Sequence, residues 1–93
     1  MSIKVRIPAP MRQHTGGKNQ VEAAGDTVQA VLEDVCRQYP GLKERLFDGD
    51  QVRRFVNFTL NDEDVRYLGN LATPTRSGDE LDVIPAVAGG GAP

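Results

Sequence analysis

A single amphipathic helix, enclosed between stretches of strict two-residue alternation, constrains this chain more than any other feature. Val28, Val31, Leu32, Val35 and Tyr39 fall at offsets 0, 3, 4, 7 and 11, which puts them on one face at 3.6 residues per turn. Asp26 or Thr27 stands where a side-chain oxygen can accept the partnerless N–H groups of the first turn. Glu33, Asp34 and Arg37 lie off the stripe, and Pro40-Gly41 stops it. Leu42 to Leu46 allow one further helical turn, and Phe47-Asp48-Gly49-Asp50 reads as loop.

The flanks are strands. Ile3, Val5 and Ile7 share one face while Lys4 and Arg6 take the other, and Pro8 and Pro10 end the run. A polar stretch centred on Gly16-Gly17 leads to a second strand near Asn19 to Ala23, as in a hairpin with a long loop. Beyond the helix, a strand is expected from near Arg53, with Phe55, Asn57 and Thr59 alternating against Val56, Phe58 and Leu60. Asn61-Asp62-Glu63-Asp64 is a polar turn before a short strand around Val65 to Tyr67. Gly69 to Gly78 is irregular, and a last strand runs from Glu80 to Val87, with Leu81 and Val83 on one face and Asp82 and Ile84 on the other.

One helix can cover one sheet face, so this order implies an α+β domain of two layers. A hairpin, a crossover helix and returning strands point to a β-grasp: about five strands in a mixed sheet, the first and last adjacent and parallel at its centre, and the one main helix packed on one face. Ninety-three residues suffice for one such domain. We place it at residues 1–87, followed by a flexible Gly-rich tail at 88–93.

The residue inventory is short of chemistry. Eleven Lys and Arg against thirteen Asp and Glu give no global pull toward nucleic acid. No apolar run approaches a membrane span and the N-terminus has no signal-peptide pattern, so the expected location is cytoplasmic, with neither nucleic acid nor membrane as a partner. One cysteine excludes an internal disulfide, and with one histidine beside it speaks against a Cys/His zinc site. His14 reads as a loop histidine. Cys36 reads as a half-buried small hydrophobe; a thiolate favoured by Arg37 is the alternative, opposed by the C-terminal end of its helix. Asp62-Glu63-Asp64 lacks the spacing of a calcium loop and is a solvated turn. Arg53-Arg54 is a weak phosphate signal, and His14-Thr15-Gly16-Gly17-Lys18 lacks the spacing of a phosphate loop.

The tail remains. A last strand running into Gly89-Gly90 makes an arm whose backbone a narrow tunnel can enclose without meeting a Cβ. A frayed terminus looks the same, and only the β-grasp strand order tips the balance toward function.

With these residues in view, the chain resembles the ThiS/MoaD family of ubiquitin-like sulfur carriers. The resemblance is carried by His14-Thr15-Gly16-Gly17, Gly25-Asp26-Thr27, Tyr39-Pro40-Gly41-Leu42 and Arg54-Phe55-Val56-Asn57. Asn61-Asp62-Glu63-Asp64-Val65-Arg66, Gly78-Asp79-Glu80 and Pro85-Ala86-Val87-Ala88-Gly89-Gly90 complete it. Within the family the match is strongest to the actinobacterial carriers of thiocarboxylate-dependent cysteine synthesis.

The resemblance implies a carrier rather than an enzyme, with no bound cofactor. An E1-like adenylating and sulfurtransferase enzyme of MoeB/ThiF type uses ATP to activate the terminal glycine, and a thiocarboxylate replaces the adenylate. A pyridoxal-phosphate-dependent cysteine synthase then takes the sulfur, and a zinc metalloprotease of JAMM type releases the product. The acyl site maps to Gly90, with Gly89 beside it. Docking is expected at Phe55, Arg53 and Arg66, with Val87 and Ala88 in the tail; for Phe55 a place in the core is an even alternative. Gly91-Ala92-Pro93 departs from the family pattern, because an amide carbonyl at Gly90 cannot be adenylated. The expectation is a precursor trimmed to Gly90. A mature end at Gly91, or an extension foreign to the natural chain, are the other readings. The resemblance also admits the small subunit of a molybdopterin-synthase-like complex, or a ubiquitin-like protein modifier.

Overall fold

The computed structural model describes residues 2–49, 51–53 and 56–85. Expectations for Arg54, Phe55, the strand beyond Pro85 and the tail, Val87, Ala88, Gly89 and Gly90 included, lie outside the described residues.

Strands β1 (Ile3–Arg6), β2 (Gln20–Ala23), β5 (Val56–Leu60), β6 (Glu63–Asp64) and β7 (Glu80–Pro85) form one five-stranded sheet in the order β2-β1-β7-β5-β6. β1 and β7 run parallel at its centre, and every other pairing is antiparallel. Helix α1 (Val28–Gln38) provides the crossover, and a one-turn helix α2 (Lys43–Leu46) follows it. This is the expected β-grasp.

The alternation sorts the side chains as expected. Ile3, Val5, Val56, Phe58, Leu60, Leu81 and Val83 are buried under α1, which contributes Val28, Val31, Leu32 and Val35. Burying each of those four helix residues stabilises the fold by about 1.5–3 kcal/mol, more than any cap or turn can contribute. Tyr39 is the C-cap and only half-buried, so the apolar stripe effectively ends at Val35.

Thr27, rather than Asp26, caps α1: its Oγ1 accepts the Ala30 N–H at 3.1 Å. The irregular stretch after Gly69 clamps the same helix end. The Thr73 carbonyl accepts the Val28 N–H at 3.0 Å, the Asp26 carbonyl accepts the Thr75 N–H at 2.9 Å, and the Thr75 hydroxyl donates to the Gly25 carbonyl at 2.7 Å. Gly25 passes so close that a Cβ there would lie 2.6 Å from the Val31 nitrogen.

Three local expectations are corrected. The polar stretch after Pro8 contains a 3-10 helix, Ala9–Thr15, which buries Met11 and Thr15; with so few apolar residues it leaves no stripe to read. Phe47–Asp48 (β3) pairs with Gln51–Val52 (β4) as a small separate hairpin instead of a loop. Phe47 and Val52 pack against the core, which holds it in place. Within the described residues the strand expected from near Arg53 is β5, Val56–Leu60, and the Arg53 N–H donates to the Leu46 carbonyl at 2.9 Å. Val65–Tyr67 is a 3-10 turn rather than a strand, because the Asp64 carboxylate accepts the Arg66 N–H at 2.9 Å and closes the backbone locally. The strand lies earlier, at Glu63–Asp64, across a two-residue turn in which Asn61 and Asp62 both have positive φ, 51° and 71°. Asn and Asp tolerate that region better than other residues bearing a Cβ.

Candidate functional site

The helix seals one face of the sheet and leaves the other open. On that outer face β1 presents Lys4 and Arg6, β7 presents Glu80, Asp82 and Ile84, and β5 presents Asn57 and Thr59, with Arg6 opposite Asp82 and Asn57 opposite Ile84. Ile84 is 42% exposed, on the strand that leads to the Gly-Gly tail.

Arg66 and Arg53 are the expected docking residues within the described part. Arg66 is exposed and held in a forked ion pair, its Nε 3.1 Å and a terminal nitrogen 2.7 Å from Asp64 Oδ2. The pair holds the Asp64 carboxyl below the usual carboxylate range and raises the guanidinium. Arg66 lies over the Tyr67 ring, 6.0 Å from its centre, and shares with Asn57, Val52 and Leu71 the wall of an open groove of about 780 Å³. Arg53 is exposed as well, but its guanidinium donates to the Glu44 carbonyl and so ties the chain to α2. The two arginines thus belong to different surroundings: Arg66 to the sheet edge, Arg53 to the helical connection.

Sequence reasoning missed two exposed apolar side chains next to Arg66. Tyr67 is 83% and Leu68 41% exposed. The signal was present, two large apolar residues after a charged turn, but the strand expected around Val65 to Tyr67 gave Tyr67 a face and left Leu68 unread. Beyond Asp64 the chain runs back beside β5, as the pairs Leu60 with Glu63 and Thr59 with Asp64 show. It therefore heads toward the end of the sheet where Val56 meets Pro85.

The remaining candidates are structural. His14 sits on the 3-10 helix with its ring against Gly41, where a Cβ would lie 2.7 Å from Nδ1, and its Nε2 accepts from Arg45 Nε at 3.2 Å. Cys36 packs against the core, and burial pushes its thiol up, away from the reactive thiolate. Asp34 is drawn below the usual carboxylate range by Arg37 and by the Ala24 N–H that it accepts at 2.9 Å; with Gln38, which donates to the Glu22 carbonyl, it covers the outer edge of β2. Among the described residues no group of three His, Cys, Asp or Glu is placed to hold a metal ion, and no helix is long and apolar enough to cross a membrane.

The ThiS family profile matches residues 5–90. The chain belongs to the ThiS family. This ThiS-family chain is 48% identical to the sulfur carrier protein CysO of Mycobacterium tuberculosis, over 97% of its own length and all of the relative's. It is 35% identical to small archaeal modifier protein 3 of Haloferax volcanii, over 97% of its length and all of that protein's. Among solved structures, the Amycolatopsis orientalis BexX/CysO complex contains a chain that superposes with a TM-score of 0.87 at 45% identity, covering 94% of this chain and 98% of that one. These likenesses place the ThiS-family chain among ubiquitin-like β-grasp proteins.

Proposed function

We propose that this chain is a sulfur carrier whose reactive group is the Gly90 carboxylate, freed by removal of Gly91-Ala92-Pro93. The observation that carries the reading is the family match, which runs unbroken from β1 to Gly90 and stops at the Gly-Gly pair. A carboxylate is a poor electrophile. An E1-like MoeB/ThiF-type enzyme makes it a good one by forming an acyl-adenylate at the expense of ATP, with pyrophosphate leaving. A sulfide-level nucleophile then attacks the acyl carbon and AMP leaves, giving the thiocarboxylate. This soft anion is the sulfur donor to a pyridoxal-phosphate-dependent cysteine synthase, and a JAMM-type zinc protease supplies both trimming and release. The carrier has no catalytic residue of its own, and Cys36 is not the sulfur carried.

Docking on the activating enzyme uses Phe55, Arg53, Arg66, Val87 and Ala88, extended by Tyr67, Leu68 and Ile84, whose exposure suits a partner contact. The likeness to small archaeal modifier protein 3 favours a second reading, in which the same activated glycine forms isopeptide bonds. Mass spectrometry of the protein from its native host separates the two. The expected result is a chain ending at Gly90, part of it heavier by the exchange of one oxygen for sulfur. A ladder of lysine conjugates without thiocarboxylate supports the modifier, and a chain ending at Pro93 that still sustains sulfur transfer overturns the trimming step.

A further inference from the structure

An open concavity of about 430 Å³ lies on the uncovered sheet face where β1 passes into the 3-10 helix, walled by Arg6, Arg12, Asn19, Gln20, Asp82 and Ile84. It holds two guanidinium groups against one carboxylate. Among the described residues Asp82 makes no ion pair with either arginine, and its Oδ1 is sealed within the chain without a donor. Arg12 is half-buried, and its Nε donates to the Ile7 carbonyl at 3.0 Å. That bond fixes the guanidinium in the wall, while its terminal nitrogens donate to nothing among the described residues. The nearest carboxylates outside the concavity, Glu22 and Glu80, flank Lys4 in the ladder. Glu80 also touches Arg6, but only at 3.5 Å, the outer limit of a hydrogen bond. The excess of positive charge therefore rests on Arg12.

A protein that covers exposed Ile84 also closes this concavity and takes water from the Arg12 fork. An apolar group there leaves the terminal N–H groups without an acceptor, at a desolvation cost, and a cation is repelled by both guanidinium groups. A carboxylate fits, because an arginine tied through Nε still offers two terminal nitrogens to its oxygens, and the exposed Asn19 and Gln20 amides can donate as well. A small free anion has no apolar contact to hold it in so open a place, whereas an acidic side chain is carried in by a protein seated on Ile84. We infer that the enzyme activating this chain presents an aspartate or glutamate side chain to Arg12, with Arg6 beside it, in the concavity next to Ile84. This rests on the carrier reading, which brings that enzyme to the face beside β7.

The test is stopped-flow association of the chain ending at Gly90 with the E1-like adenylating enzyme of its own organism. Salt is varied from about 0.1 M to about 1 M, over which the screening length falls from about 10 Å to about 3 Å. Arg12→Gln and Arg6→Gln each slow association several-fold at the low end, and the deficit closes at the high end. Arg76→Gln removes the same charge just before the start of β7, at the other end of the strand from Ile84, and leaves the rate within about twofold. Arg12→Lys keeps the salt dependence but dissociates faster, having lost the fork. Asp82→Asn, which removes the concavity's own negative charge, speeds association. Thermal melts of the free variants show that the fold is kept. Arginine variants that associate no more slowly than Arg76→Gln, or an Asp82→Asn chain that associates more slowly than wild type, overturn the inference while adenylation, and the carrier reading, persist. An enzyme that neither binds nor adenylates the wild-type chain takes both down.

Discussion

Individual residues carry the compromises of this fold. Asp82 is the clearest: it satisfies the alternation of β7, yet its sealed oxygen finds no donor. Because its carboxyl is raised in the folded chain, the native state holds that proton more tightly than the unfolded state does. Its destabilising effect is therefore absent below the ordinary value of 3.8. The effect grows as pH rises to the raised value and is fully present above it. Denaturant melts of Asp82→Asn should lack this fall in stability, while Asp34 and Asp64, both lowered, still lose their contribution as the pH drops. Cys36 and His14 show the opposite case, two chemically able side chains engaged in packing, the thiol raised by burial and the imidazole laid on Gly41.

At the scale of elements, apolar period decided everything that has a long enough run to show one. α1, β1, β5 and β7 were legible because Val28 to Val35 repeats with the helix and Ile3 to Ile7, Val56 to Leu60 and Leu81 to Val83 repeat with the strand. Two of the misread pieces are those in which a side chain bonds nearby backbone. Asp64 turned an expected strand into a 3-10 turn, and Thr15, its hydroxyl donating to the Lys18 carbonyl at 2.8 Å with the Arg12 carbonyl also in reach at 3.1 Å, stabilises a helical loop with no stripe. The start of α1 rests on both kinds of force. Thr27→Ala should cost about 1 kcal/mol, lowering the melting temperature by roughly 4–8 °C for a domain this small. Thr27→Ser should restore most of it, and a loss well under half a kcal/mol in paired melts would show that the Thr73 and Thr75 clamp, not the cap, holds the helix.

For the whole molecule, the topology puts β7 at the centre of the sheet, between β1 and β5. The same arrangement leaves one face without a layer and sends the chain after Asp64 back toward the end of the sheet where Val56 meets Pro85. Tyr67→Ala combined with Ile84→Ala should leave stability within about 0.5 kcal/mol, as both are surface positions. It should nonetheless lower kcat/KM for adenylation about tenfold or more, mainly through KM. Steady-state kinetics and melts on one preparation check both halves. Unchanged kinetics would move docking to Phe55 and the tail alone.

The sequence by itself determined the layers and, through resemblance, the strand order. Those depend on local period and on a backbone motif, which need no knowledge of distant neighbours. The structure alone decided what the outer face is. That Asp82 lacks a donor although Arg6 stands across from it, that Arg53 belongs to α2 while Arg66 belongs to the sheet edge, and that Tyr67 and Leu68 lie open, all depend on strands far apart in the chain. Charge pairing and exposure are properties of which residues meet across the ladder, and alternation along one strand carries no information about its partner.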